Sequence, residues 1–184
     1  PLRPILPILL RGMCAKSTLL DIVENFILFD SSEEVTLKVV ARNHQYIGVN
    51  RAIARLKAGD AEVVAGKLGV FWHTQGSGKS LSMVFFTQKV LRKLPGKWTF
   101  VMVTDRAELD DQIYKTFTAT GAITGAEVQA TSAENLKALL REDHRYVFSL
   151  IQKFRTDKGE AYPRISQRDD IIVITDEAHR SQYD

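Results

Sequence analysis

A chain of 184 residues, 45% hydrophobic and 26% charged, has the composition of an ordinary globular domain and is too short for two full ones. No apolar run reaches the roughly 18 residues of a membrane span, and the single cysteine, Cys14, excludes an internal disulfide and agrees with a reducing, cytoplasmic setting. A net charge of +3 and a pI near 9.0 tolerate an acidic partner without demanding one.

The opening Pro1-Leu2-Arg3-Pro4-Ile5-Leu6 has neither a basic leader nor a following cleavage site, and it lacks an initiator Met. It reads as the cut end of a longer chain. Behind Ser17-Thr18, apolar residues at helical spacing predict a helix over 17–29, broken by a solvated turn at 30–34. A second helix is expected over 43–58, stopped by Gly59. Residues 1–30 are accordingly expected to form a helical linker or the end of a preceding domain, and 31–184 the main domain.

From residue 67 the pattern alternates. Residues 67–72 read as a buried strand and 79–94 as a helix ended by Pro95-Gly96. Strands are expected at 99–103, 146–151 and 171–174, with helices over 107–117 and 132–141. Short strands alternating with helices make an α/β fold, a parallel sheet flanked by helices on both faces. Ligands in such folds bind at the carboxyl ends of the strands. Trp72 and Trp98 read as core or sheet-flanking residues; Lys89, Arg92 and Lys93 read as an exposed basic helix face, with contact to nucleic acid as the alternative.

His73-Thr74-Gln75-Gly76-Ser77-Gly78-Lys79-Ser80 occupies the slot of a phosphate-binding loop, after an expected strand and at the start of a helix. Gly76 and Gly78 let the backbone turn its N–H groups around phosphate oxygens, and the helix start adds its positive dipole end. Lys79 would reach the β- and γ-phosphates of a nucleoside triphosphate, and Ser80 would offer its hydroxyl to Mg²⁺. Thr74, Gln75, Gly76, Ser77 and Gly78 complete the expected nucleotide contacts. His73 stands where the general pattern has its first glycine.

Downstream, Ile171-Ile172-Val173-Ile174-Thr175-Asp176-Glu177-Ala178-His179 is a strand ending in two carboxylates. Phosphoryl transfer needs an acid at such a tip to hold Mg²⁺, here Asp176, and a base or water-positioner beside it, here Glu177. His179 has two open readings, a coupling residue or a surface histidine.

The run Phe71-Trp72-His73-Thr74-Gln75-Gly76-Ser77-Gly78-Lys79-Ser80-Leu81-Ser82-Met83 resembles the first helicase motif of the restriction (motor) subunit of type I restriction-modification enzymes. Asp176-Glu177-Ala178-His179-Arg180-Ser181-Gln182 is similar to that family's second motif, and the resemblance runs from about Leu19 onward. It implies the first RecA-like P-loop domain of a superfamily 2 motor that hydrolyses ATP with Mg²⁺ to pull double-stranded DNA. Methyltransferase and specificity subunits would be its partners, and no membrane would be involved. The nuclease domain and the second RecA-like domain are expected outside these residues, so the fragment alone is expected to be inactive.

Three further stretches resemble family motifs. Ala41-Arg42-Asn43-His44-Gln45-Tyr46 is similar to the glutamine motif, in which Gln45 would read the adenine edge; a surface glutamine is the alternative. Val103-Thr104-Asp105-Arg106 resembles a motif lying along the DNA backbone, making Thr104 and Arg106 candidate phosphate contacts, with a helix cap by Thr104 or Asp105 as the alternative. Ser149-Leu150-Ile151-Gln152-Lys153-Phe154 resembles the next motif, with Gln152 and Lys153 on the same track and Phe154 in the core, a base-stacking ring being the alternative. A general helicase or remodelling ATPase shares the nucleotide motifs. A nucleotide-binding scaffold that no longer hydrolyses is a third reading, disfavoured by the intact Lys79, Ser80, Asp176 and Glu177.

Overall fold

In the computed structural model, residues 5–59, 61–74, 76–124, 128–154 and 163–176 are described. They divide into two units, Pro1–Lys89 and Val90–Asp184.

The first unit opens with helices α1 (Ile5–Met13) and α2 (Lys16–Asn25), followed by an antiparallel pair, β1 (Ile27–Asp30) and β2 (Leu37–Val40). The expected helix over 17–29 therefore stops four residues early, because Ile27, Leu28 and Phe29 pair with Val40, Val39 and Lys38. Cross-strand pairing of β-branched and aromatic residues outweighs a local helical period. The turn between the strands is held by the Ser32 N–H donating to Asp30 Oδ1 at 2.9 Å.

Helix α3 (Asn43–Ala58) ends where expected, with Gly59 in the left-handed region at φ 57. A short α4 (Ala61–Val64) precedes the glycine-bearing loop at 73–78, and α5 (Lys79–Lys93) follows it. The expected boundary near residue 30 falls inside this unit. Phe26 is fully buried, with its ring 4.7 Å from Tyr46 of α3 and 5.7 Å from Phe85 of α5.

The expected strand over 67–72 does not form: Val70 and Trp72 are 91% and 85% exposed, and Gly69 sits at φ 141. A short apolar run becomes a strand only when another strand's backbone satisfies its N–H and C=O groups. None of the described strands pairs with it. Trp72 is thus a surface residue rather than core or sheet-flanking.

The second unit is a parallel four-stranded sheet in the order β4-β5-β3-β6, built from β3 (Thr99–Thr104), β4 (Val128–Gln129), β5 (Tyr146–Leu150) and β6 (Ile171–Thr175). The observed fold is the α/β class expected, a parallel sheet with helices α6 (Ala107–Ala119) and α7 (Ala133–Leu139) joining its strands. Every residue of β3 is buried, as a central parallel strand requires. Phe117 of α6 sits edge-on to Tyr146 and Phe148 of β5, at 5.4 and 5.7 Å. The Ser132 hydroxyl caps α7 by accepting from the Asn135 N–H at 3.0 Å. Leu136 and Leu139 then pack with Ala130 and Val147, and Phe154 lies against this cluster.

Strand β6 is less buried than its apolar sequence suggests. Ile172 is 8% exposed, whereas Val173 on the opposite face is 59% exposed. The Asp176 N–H donates to the Val103 carbonyl at 2.9 Å, extending the β3–β6 pairing just past the strand. Parallel strands end at one edge, which places Asp105, Gln152 and Asp176 there together. No helix among the described residues is long and apolar enough to cross a membrane.

Candidate nucleotide-binding site

The candidate phosphate loop is a tight, internally bonded turn. Gly76 and Gly78 adopt φ 73 and φ 86, a conformation that side-chain-bearing residues rarely take. The Ser77 hydroxyl donates to the Thr74 carbonyl at 2.6 Å, and the Ser77 N–H donates to the same oxygen at 3.2 Å. Helix α5 begins at Lys79, so Lys79 and Ser80, both half-buried, stand in its first turn at the positive dipole end. Gln75 lies outside the described residues.

Two histidines flank this loop, and one stands where the usual first glycine is missing. The Ser77 hydroxyl proton is committed to Thr74, so the 2.9 Å contact to His73 Nδ1 makes His73 the donor and fixes its Nδ1–H tautomer. His73 Nε2 is then left buried with no partner. His44 Nε2 donates to the Ser77 carbonyl at 3.2 Å, and its ring lies 5.3 Å from that of His73. Phe71 packs edge-on to His73 at 4.3 Å and lies directly on Gly48 of α3, where a Cβ would come within 1.7 Å of the ring. Gly48 is a residue that motif reading missed; its need for hydrogen as a side chain arises from a contact across the fold.

Burial, together with the nearby charges of His44 and Lys79, pushes the His73 imidazole below its ordinary value of 6.5. A depressed histidine binds its proton more readily in the unfolded chain, so folding loses stability as pH falls from about 6.5 toward the folded value. Amide exchange in the loop, corrected for intrinsic rates, is expected to be faster at pH 5.5 than at 7.5. The His73→Gln variant, which keeps a donor for Ser77, is expected to lose that difference. Equal protection at both pH values in the unsubstituted protein would refute this account.

Gln45 is 2% exposed, and its amide is used at both ends. Its Oε1 accepts from the Arg42 N–H at 2.8 Å, capping α3, and its Nε2 donates to the Gly78 carbonyl at 3.0 Å. It is therefore not a surface residue. The amide keeps one further N–H and one further lone pair for a ligand.

In the second unit, the candidate DNA contacts separate. Thr104 is 1% exposed and its hydroxyl donates to Asp110 Oδ1 at 3.4 Å, so its side chain is turned into the protein and presents nothing to a phosphate. The Gln129 side-chain amide donates to the other Asp110 oxygen at 3.1 Å, and burial raises the Asp110 carboxyl above its usual range. Arg106 is exposed, 3.7 Å from Asp105, and Gln152 Nε2 donates to the Asp105 carbonyl at 2.8 Å. Lys153 donates to the Ala130 carbonyl, which holds its ammonium against the sheet. Arg106 and Gln152 thus share one exposed strand-end edge, and Thr104 braces it from beneath.

Asp176 is half-buried at the end of β6; Glu177 and His179, with the rest of that motif, lie outside the described residues. Among the described residues no group of three or more His, Cys, Asp or Glu side chains is arranged to hold a metal by itself. The sequence reading of Lys89 is corrected. It is 6% exposed and faces neither solvent nor nucleic acid, whereas Arg92 and Lys93 are exposed.

The chain is 41% identical, over 95% of its length, to the HindI type I restriction enzyme endonuclease subunit of Haemophilus influenzae. It is 36% identical over 97% to a protein of Methanocaldococcus jannaschii provisionally named as the MjaIXP type I restriction enzyme endonuclease subunit. It spans 17% of the length of each. The family model described as SWI2/SNF2 ATPase matches residues 44–184, which takes in the Gln45 helix, the phosphate loop and the acidic strand end. The chain thus belongs to the SWI2/SNF2 ATPase family.

Proposed function

We propose that this chain is the first RecA-like motor domain of a type I restriction enzyme, and that it takes part in ATP hydrolysis to translocate double-stranded DNA. The observation that carries the nucleotide half is the left-handed turn at Gly76 and Gly78 delivering Lys79 and Ser80 to the start of α5. The restriction half is supported by the names of the relatives aligned over nearly the whole chain.

In this reading the loop amides of residues 74–78, with the Lys79 ammonium, bind the phosphates, and Gln45 lends its remaining donor and acceptor to the adenine edge. The orphaned His73 Nε2 is suited to a partner arriving with the ligand. Ser80 and Asp176 are hard oxygen donors, the type that Mg²⁺ requires. When bound, Mg²⁺ would neutralise charge on the β- and γ-phosphate oxygens. Glu177 would orient the attacking water and accept its proton. Arg106 and Gln152 on their exposed edge, with Lys153 beside them, would follow the DNA backbone. Methyltransferase and specificity subunits, and a second RecA-like domain supplying transition-state charge, would complete the machine.

The test is ATP hydrolysis by the full-length parent assembled with its methyltransferase and specificity partners. Duplex carrying an unmodified target site is expected to stimulate turnover and fully methylated duplex to leave it at background, with the stimulation lost in Glu177→Gln. Equal turnover on both duplexes would transfer the reading to a general helicase or remodelling ATPase.

A further inference from the structure

A cluster of polar side chains lies inside the first unit where no step of phosphoryl transfer accounts for it. The Lys89 ammonium, in the third turn of α5, donates to Asp21 Oδ1 at 2.5 Å and to Asn50 Oδ1 at 2.6 Å. It also sits 4.7 Å over the ring of buried Phe26. Asn50 Nδ2 donates to Asp21 Oδ2 at 3.2 Å, and Asn25 Nδ2 to Asp21 Oδ1 at 2.9 Å. Burial works against the Asp21 carboxylate, but the hydrogen bonds from Lys89, Asn25 and Asn50 outweigh it and hold the group below its ordinary value.

Such a cluster is a poor way to gain stability. Removing an ammonium and a carboxylate from water costs much of what their attraction returns, and apolar residues of similar volume commonly do as well. What hydrogen-bonded charges add over methionine and leucine is direction, since each bond fixes an angle as well as a distance. The directions fixed here join three helices: Asp21 and Asn25 lie on α2, Asn50 on α3 and Lys89 on α5.

Two of those helices carry the nucleotide site. α3 holds Gln45, which donates to the Gly78 carbonyl, and α5 starts with Lys79. The helices are thus tied at the loop, through Gln45 to Gly78 and His44 to Ser77. They are tied again about 15 Å farther along α5, through Asn50 and Lys89. With the second tie removed, what holds α3 to α5 away from the loop is apolar packing, such as Phe26 between Tyr46 and Phe85, which is less directional, so the spacing of Gln45 from Lys79 is set less closely.

We propose that Asp21 and Lys89 are positioning residues for the nucleotide site, fixing α3 against α5 so that Gln45 and Lys79 meet one nucleotide together. The inference rests on the reading of residues 73–80 as an ATP site, and it gives α2, which precedes both the Gln45 helix and that loop in the chain, a direct mechanical hold on the site.

The experiment uses the full-length subunit with its partner subunits and duplex DNA. It measures equilibrium binding of a fluorescent ATP analogue, steady-state KM and kcat, and thermal melting. Lys89→Met and Asp21→Asn are each expected to raise Kd and KM for the nucleotide about tenfold while kcat stays within about twofold. Each single variant leaves one buried partner uncompensated and melts lower. The Asp21→Asn/Lys89→Met double variant removes both charges and is expected to regain most of the melting temperature while keeping the raised KM. A double variant with unsubstituted KM would show the pair to be structural only and overturn the inference. Lys79→Ala separates the two readings. If the unsubstituted protein binds the analogue and Lys79→Ala does not, the ATP site stands whatever Asp21 and Lys89 do. If neither binds it, the ATP site itself is wrong.

Discussion

Lys79→Ala in the full-length subunit is expected to lower DNA-stimulated ATP turnover by about 10²–10³-fold while leaving the fold intact. The expectation follows from where the residue sits. Lys79 is the first residue of α5, just after two glycines in left-handed conformations, so its ammonium adds a full charge to the partial positive charge of a helix start. In the proposed site that charge faces phosphate oxygens whose negative charge redistributes during transfer, away from bulk water, where each electrostatic contact is worth most. Lys79 is half-buried in the first turn of a helix, where alanine is well accommodated, so stability should change by at most about 1 kcal/mol. Turnover and melting are both measured on the purified subunit with its partners. Near-normal turnover in the variant would falsify the assignment of residues 73–80 as the nucleotide site.

Phe148→Ala is expected to destabilise the second unit by about 3–5 kcal/mol, a large share of the 5–15 kcal/mol that holds a typical domain folded. Phe148 is fully buried on β5, beside the central strand β3. Its ring meets Tyr114 and Phe117 of α6 edge-on, at 5.2 and 5.7 Å, and stacks near Tyr146 at 6.5 Å. Truncation removes the aromatic contacts and leaves a cavity that surrounding rings, fixed by backbone pairing, fill only in part. Native-state hydrogen exchange reads this without requiring a two-state melt of a large protein. Amides of β3 and β5 that exchange through global opening are expected to exchange about 10²–10⁴-fold faster, whereas Phe29→Ala, at a site 59% exposed, should leave them unchanged. Unaltered protection in Phe148→Ala would mean that the α6–β5 aromatic cluster does not hold the sheet.

Local chemistry accounts for much of this protein's outline. Helix α3 begins and ends where its pattern and Gly59 place it, and α5 starts at Lys79, after the loop glycines. The buried runs at 99–104 and 146–150 are central parallel strands, recognisable because both faces of such strands must be apolar. The α/β class and the glycine turn before α5 were legible for the same reason: periodicity, glycine placement and helix starts are properties of neighbouring residues.

What tertiary structure alone decided involves partners distant in the chain. Residues 27–29 carry a helix-compatible pattern yet form a strand, because residues 38–40 offer a backbone to pair with. Residues 67–72 carry a strand pattern yet remain irregular, because no described strand pairs with them. Thr104 gives its hydroxyl to Asp110 instead of an outside phosphate, and Gly48 is reserved for the ring of Phe71. Lys89 looked like one more cation on a basic helix face, and only the approach of Asp21 and Asn50 from two other helices made it an interior residue. Propensity and spacing act over a few residues at a time, whereas burial, strand pairing and ion pairing depend on which distant groups the finished fold brings within reach.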